Sequence, residues 1–276
     1  MEKIQEIAEL EKKADFIRKR LVEVAVENGA GHIAPSLSCV DILTLLYYHI
    51  LNIGDDPEWE ERDRLVFSKA HGAYGLYAIL ADIGYIRQTD WDNFYKDSFL
   101  KGCAEQSLQH GIEAGCGSLG HGLPMAVGIA FGAKLRGKGY SSYCVVGDGE
   151  MQEGSNWEAV QFAVKYQLNH LIIIVDCNGL QAMDPLEAVL SPMDSYKDLS
   201  GKFNAFGCKV IKCAGHNMTE LKRSFEDARA DKGNKPITIL AKTTKGYGIR
   251  AIENVVKFHF RVPTAEELSM GVRYEK

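Results

Sequence analysis

Apolar positions recur at spacings of three and four along the first 28 residues, where Ile4, Ile7, Ala8, Ala14, Ile17, Leu21 and Val24 predict one face of a helix. Asn28-Gly29 predicts its end, and Gly31 and Pro35 keep the next stretch open. Ser38 and Asp41 form an S-x-x-D cap that predicts a helix running through Ile50. Leu65–Phe67 is a short apolar piece, and Lys69-Ala70-His71-Gly72 leads from it into a helix over Tyr74–Ala81. Residues 102–122 are rich in glycine and have no period, so they read as a loop. Beyond them two kinds of pattern alternate. Helices are predicted over Pro124–Leu135, Ser155–Leu168 and Thr219–Ala230, the last with Thr219 as its N-cap. Strands are predicted over Ser141–Val146, Leu171–Val175, Cys208–Cys213 and Ile237–Lys242. Leu171–Val175 is apolar at every position, as befits a strand covered on both faces of a parallel sheet. The alternation predicts an α/β fold, a parallel sheet flanked by helices, whose ligands sit at the carboxyl ends of the strands. Residues 1–245 are expected to form one domain, and 246–276 a less regular C-terminal segment with a T-x-x-E cap from Thr264 to Glu267.

Composition narrows the class. A net charge of −5 over 276 residues argues against nucleic-acid binding by charge. Seven cysteines without a C-x-x-C pair point to thiols in a reducing, cytoplasmic compartment. No apolar run approaches the roughly 20 residues that span a bilayer, so no membrane association is expected.

Two glycine motifs invite a chemical reading. Gly115-Cys116-Gly117-Ser118-Leu119-Gly120 fits the dinucleotide pattern G-x-G-x-x-G. That reading needs a strand just before the glycines and an acid about twenty residues on. SLQHGIEA precedes them and LRGKGY occupies 135–140, so neither condition is met. From Gly147 the order is different: Gly-Asp-Gly after a strand, then a helix, an apolar strand and Asn178-Gly179. One αβ crossover brings Asp148 and Asn178 to the same sheet edge. A carboxylate, an amide oxygen and nearby backbone carbonyls are hard donors suited to Mg²⁺, with Ca²⁺ or Mn²⁺ possible in the same set. Glycines beside Asp148 let backbone N–H groups approach a diphosphate, with the following helix N-terminus near the anion.

This pattern resembles the thiamine-diphosphate-binding motif, and the rest of the chain resembles the N-terminal, diphosphate-binding part of transketolases. The segments that carry the resemblance are Gly31-His32-Ile33-Ala34-Pro35-Ser36-Leu37-Ser38, Ser68-Lys69-Ala70-His71-Gly72, Cys116-Gly117-Ser118-Leu119-Gly120-His121-Gly122, Gly147 to Gly154, and Lys245-Gly246-Tyr247-Gly248 with His259. The resemblance implies the thiamine-diphosphate (diphosphate-domain) fold, with thiamine diphosphate as cofactor. It implies that Asp148, Asn178 and the Leu180 carbonyl ligate the metal, and that Gly149 and the loop around Gly120 contact the diphosphate. His71 and His259 would bond diphosphate oxygens or line the reacting centre, and His32 would face substrate hydroxyls and carbonyl. Imidazole, with a pKa near 6.5, suits both donor and base roles. Glu153 would lie where two copies of the domain meet, or would simply favour its helix dipole.

The expected activity is transfer of a two-carbon ketol unit from a ketose phosphate to an aldose. The catalytic glutamate of the family belongs to a pyrimidine domain, which is expected on a partner chain together with a C-terminal domain. A heterotetramer, with a homodimeric contact between two copies of this chain, is the implied assembly. The sequence departs from the family pattern at Ile33-Ala34, at a shortened loop that runs from His110 into Gly111-Ile112-Glu113, at His121, and at Phe260, where a small residue is usual. His110 would contact substrate or be a neighbour brought in by the deletion. Other thiamine-diphosphate enzymes, of the 1-deoxyxylulose-5-phosphate synthase or 2-oxo acid dehydrogenase α type, and a non-catalytic homologue are the alternatives the sequence leaves open.

Overall fold

The computed structural model describes residues 2–189 and 195–272. In chain order its elements are α1 (Ile7–Asn28), α2 (Ile33–Leu37), α3 (Val40–Leu45, extended by a wider π turn over Leu46–Ile50), β1 (Arg64–Phe67), α4 (Ala73–Asp82) and α5 (Gln88–Asp92). There follow α6 (Gly122–Leu135), β2 (Ser142–Gly147), α7 (Gly154–Lys165), β3 (Leu171–Cys177), α8 (Leu186–Val189), α9 (Ser195–Phe206), β4 (Lys209–Ala214), α10 (Met218–Ala230), β5 (Ile237–Lys242) and α11 (Ala265–Ser269). The five strands are all parallel, in the order β1-β2-β3-β5-β4.

The sheet is covered on both faces. Tyr143 and Val145 of β2, Ile172 and Ile174 of β3, and Ile237 and Ile239 of β5 pack with α1, α3, α4 and α10. Cys144 and Val146, Ile173 and Val175, and Leu240 point the other way, toward α6, α7 and α9. Successive side chains of a strand alternate faces, so a strand buried on both sides must be apolar throughout, as Leu171–Val175 is.

Helix ends follow local chemistry with two corrections. Gly29 closes α1 in the left-handed region (φ 71°), as Asn28-Gly29 predicts. Thr264 and Glu267 form the reciprocal capping box at α11. Ser38, expected to cap α3, instead donates its hydroxyl to Asp176 Oδ2 at 2.6 Å, with the Pro35 carbonyl at 3.1 Å the more distant acceptor. A buried carboxylate is a stronger acceptor than a carbonyl, so its hydroxyl serves that charge rather than a helix end. Thr219 lies within α10, and Asn217 is the cap, its Oδ1 accepting the Glu220 N–H at 3.0 Å. Leu65–Phe67, unassigned by pattern, is most of β1. Within 102–122 the chain makes a 3₁₀ turn at Leu108–His110.

Candidate active site

Four strands end at one edge, and each delivers polar residues just past its last position. β1 leads to Ser68, Lys69 and His71, β2 to Asp148, β3 to Asn178, and β5 to Thr243 and Lys245. Because Gly147 pairs with Asp176 in the β2–β3 register, Asp148 and Asn178 emerge side by side. The Gly179 N–H donates to Asp148 Oδ2 at 2.6 Å and the Gly149 N–H to Oδ1 at 2.9 Å, which fixes the carboxylate. Asn178 Oδ1 accepts the Leu180 N–H at 3.0 Å. A cavity of about 210 Å³ opens there, lined by Asp148, Gly149, Asn178, Leu180, Lys245 and His259 among others.

Below this edge lies a buried ion pair. Asp176, fully buried, accepts from the ammonium of Lys69 and the hydroxyls of Ser38 and Thr243. Lys69 also donates to the Pro35 carbonyl and to Ser38 Oγ, each at 2.7 Å. Burial alone would raise the acid and lower the base, but each partner's charge reverses that. Asp176 is held below the usual carboxylate range and Lys69 above the usual amine value. Nearby, the buried Glu150 accepts from the Ser68 hydroxyl and from the N–H groups of Gly147 (3.0 Å) and Gly120 (3.1 Å). Burial nevertheless pushes its carboxyl upward.

Lys245 has a different environment. It is 1% exposed and donates to the Gln181 carbonyl at 2.7 Å and to His259 Nδ1 at 2.9 Å. Among the described residues it forms no ion pair. Burial, reinforced by the positive charge of Lys69, lowers its pKa to about 8.

His32, His71 and His259 form one half-buried cluster. Ring centroids are 4.9 Å apart for His32–His71, 5.2 Å for His71–His259 and 5.6 Å for His32–His259. Burial lowers all three, with added repulsion from His71 at His32, from Lys69 at His71 and from Lys245 at His259. His32 comes to about 4 and His259 to about 3. All three are therefore neutral at pH 7. His32 Nδ1 is buried without a hydrogen-bond partner. The Phe260 ring, 59% exposed, stands 4.6 Å from the His32 ring. Gly31 makes its seat, since a Cβ there would come within 3.1 Å of Phe260.

The other sequence-predicted residues are placed as follows. Gly149 lines the cavity, where a Cβ would approach Gln181 to 3.1 Å. The Gly120 N–H is engaged by Glu150 and its carbonyl accepts the Ser155 hydroxyl at 2.8 Å, while Leu119 beside it lines the cavity. Glu153 is exposed at the N-cap of α7, also on the cavity wall. A 3₁₀ turn over Glu150–Gln152 separates Asp148 from that helix, so α7 begins further from the Gly-Asp-Gly turn than the pattern implies. His110 lies outside the histidine cluster. Its ring stacks on Phe99 at 4.4 Å and its Nδ1 bonds Ser107 Oγ at 2.7 Å.

Sequence reasoning missed Lys69, Lys245, Asp176 and Glu150 as site residues. Asp176 carries a legible signal, a charge closing an otherwise apolar strand. Lys69 and Lys245 carry none, since lysines at strand exits are usually solvated.

A parallel sheet with an acid–amide pair, a buried lysine and a histidine cluster at its carboxyl edge defines an α/β domain whose ligand cavity lies where such sheets bind their ligands. The chain belongs to the family described as "Transketolase, thiamine diphosphate binding domain", which it matches over residues 10–270. It is 41% identical over 272 residues to one of the subunits of the apulose-4-phosphate transketolase of Actinobacillus succinogenes, covering 96% of this chain and 95% of that one. It is 36% identical to a 6-deoxy-6-sulfo-D-fructose transketolase subunit of a Clostridium species, over 91% and 90% of the two chains. The crystal structure of Campylobacter jejuni transketolase superposes with a TM-score of 0.86 at 31% identity, covering 95% of this chain and 42% of that one. The chain thus spans under half of such a single-chain transketolase, and nearly all of the two relatives that are themselves transketolase subunits. It is a transketolase-family N-terminal subunit.

Proposed function

We propose that this chain holds the diphosphate end of thiamine diphosphate in a two-chain transketolase that moves a two-carbon ketol unit from a ketose phosphate to an aldose. The observation that carries the reading is Lys245, a buried cation without an ion-pair partner among the described residues, set between the Asp148–Asn178 pair and the histidines. A buried charge needs a counter-ion, and a metal-bound diphosphate supplies one. The donor set fits this group. Asp148, Asn178 and the Leu180 carbonyl are hard oxygen donors for Mg²⁺, and Ca²⁺ or Mn²⁺ suit the same set. The narrow clearance at Gly149 leaves backbone close to the anion.

When bound, the cofactor supplies the electron sink for cleaving a carbon–carbon bond. The protein's part is proton handling and orientation. A neutral imidazole offers one N–H and one lone pair. His32 and His71 can therefore donate to a substrate carbonyl oxygen and accept a hydroxyl proton without first losing a proton of their own. His259 accepts from Lys245 at Nδ1, which leaves the proton of its neutral ring on Nε2.

The catalytic glutamate, the pyrimidine domain and the sugar-phosphate grip are assigned to a partner chain, with Glu153 at a contact between two copies of this chain in a heterotetramer. Residues 1–245 are the diphosphate domain and 246–276 the active-site segment that carries His259. Seven thiols support a cytoplasmic setting, and among the described residues no helix is long and apolar enough to cross a membrane. Native mass spectrometry of the protein from its source tests the assembly. A heteromer retaining thiamine diphosphate and a divalent ion is expected, and a homomer with neither would overturn the reading.

A further inference from the structure

Behind the active site, a second polar network runs through the layer of α1, α3 and α10. Arg18 of α1, 2% exposed, donates from Nη2 to both oxygens of Asp41 of α3, each at 2.9 Å. Asp41 Oδ2 also bonds His216 Nδ1 at 2.7 Å, and the Thr244 N–H donates to His216 Nε2 at 2.8 Å. An acceptor of a backbone N–H must carry a lone pair, so His216 accepts at Nε2 and donates from Nδ1 to Asp41. Its ring lies flat on Tyr247, at 3.6 Å and 8°. The Arg18 guanidinium lies 5.0 Å from the centroid of that same ring. His216 therefore touches both ends of the turn Thr244-Lys245-Gly246-Tyr247, closed by the Tyr247 N–H on the Thr244 carbonyl at 3.2 Å. Gly246 sits at φ +79°, and a Cβ there would strike the Ile252 carbonyl at 2.7 Å, so the turn has little freedom of its own. Lys245 is the residue of that turn that lines the active-site cavity.

We propose that His216, held in one tautomer by Asp41 and Arg18, is a positioning residue that aims Lys245 at the diphosphate end of the site. Three observations converge on it. Among the described residues, the hydrogen bonds of Arg18, Asp41 and His216 reach the cavity wall through this turn. Each bond has good length and a defined donor. The lysine it supports forms no ion pair among the described residues and is held by the Gln181 carbonyl and His259 Nδ1, so its aim also depends on how its backbone is anchored. This rests on the proposed function for the identity of the ligand, but the aim of Lys245 is measurable without any ligand.

The test is competitive acylation of the full chain with acetic anhydride, read per lysine by peptide mass spectrometry, in wild type, His216→Ala and His216→Gln. Glutamine can donate to Asp41 and accept from Thr244. Lys69, buried in its own ion pair, reports general loosening. Expected is a rise of roughly tenfold in Lys245 labelling in His216→Ala, the effect of losing one strong hydrogen bond. Lys69 should be unchanged, and His216→Gln should return most of the protection. Inorganic diphosphate with Mg²⁺, titrated calorimetrically, should lose affinity in the same order. Unchanged Lys245 labelling in His216→Ala, or an equal rise at Lys69, would overturn the proposal. A wild type whose Lys245 responds as expected but which binds neither diphosphate nor thiamine diphosphate would overturn the functional reading and leave the positioning role standing. Nitrogen-15 NMR of the histidines gives a further readout: a protonated Nε2 on His216 would also refute the proposal.

Discussion

Lys245 donates its ammonium to His259 Nδ1 at 2.9 Å while almost wholly shielded from water. One contact thus joins a buried cation of the cavity wall to the histidine cluster. It orients the His259 ring, selects its tautomer, and contributes to holding that imidazole neutral.

Cofactor affinity should depend on pH through Lys245. With its pKa at about 8, the side chain is cationic below that value and neutral above it. Affinity for thiamine diphosphate should decline as pH rises through the region of 8, and binding there should take up protons because an anion raises the lysine's pKa. Calorimetry in buffers of different ionisation enthalpy measures this directly. In Lys245→Met the affinity should be lower and this proton uptake absent. The same depressed value means the ligand-free chain should gain stability as pH climbs from about 8 toward 10.5, since the unfolded lysine binds its proton more tightly.

Asp148→Ala should abolish Mg²⁺-dependent binding of thiamine diphosphate while leaving the chain folded. It removes the acceptor for the Gly149 and Gly179 N–H groups, which should cost about 1–3 kcal/mol of stability. Thermal melting and a Mg²⁺-supported titration separate the two effects. Unchanged affinity would remove Asp148 from the metal site.

His32→Ala should leave cofactor affinity intact and lower turnover of the assembled enzyme by roughly 10²–10⁴-fold, the usual range for a general acid–base group. His32 is half-buried against Phe260, so little stability should be lost. Normal turnover with the partner chain would reduce His32 to a packing role.

Lys69→Met should be strongly destabilising. It leaves the fully buried Asp176 without its cation, a loss of about 3–5 kcal/mol for a broken buried pair. The double variant Lys69→Met/Asp176→Asn should recover part of this in a denaturant titration, because the stranded charge is gone. Equal stability of single and double variants would show that Ser38 and Thr243 suffice to hold Asp176.

Much of the architecture was legible because it follows local rules. The apolar run at Leu171–Val175 demanded cover on both faces, and the strand–helix alternation demanded parallel pairing. Asp148 and Asn178 could be placed together since one crossover returns the chain to the same edge. The Ser38 cap fails because a side-chain hydroxyl goes to the best acceptor in three dimensions, and the Thr219 cap because Asn217, two residues earlier, already takes the Glu220 N–H. For Ser38 that acceptor was Asp176, far away in sequence.

Fold class and the Gly-Asp-Gly to Asn-Gly edge were thus legible in residue order, since periodicity and glycine placement are properties of the chain itself, whereas the three histidines were named through the family resemblance. Tertiary structure decided which charges face one another. It buried Lys69 against Asp176, set Lys245 beside His259 with no ion pair among the described residues, and set His216 behind the turn that carries it. Those outcomes depend on burial and on distances between remote segments. Desolvation and Coulomb energy both vary steeply with such distances, and no local pattern encodes them.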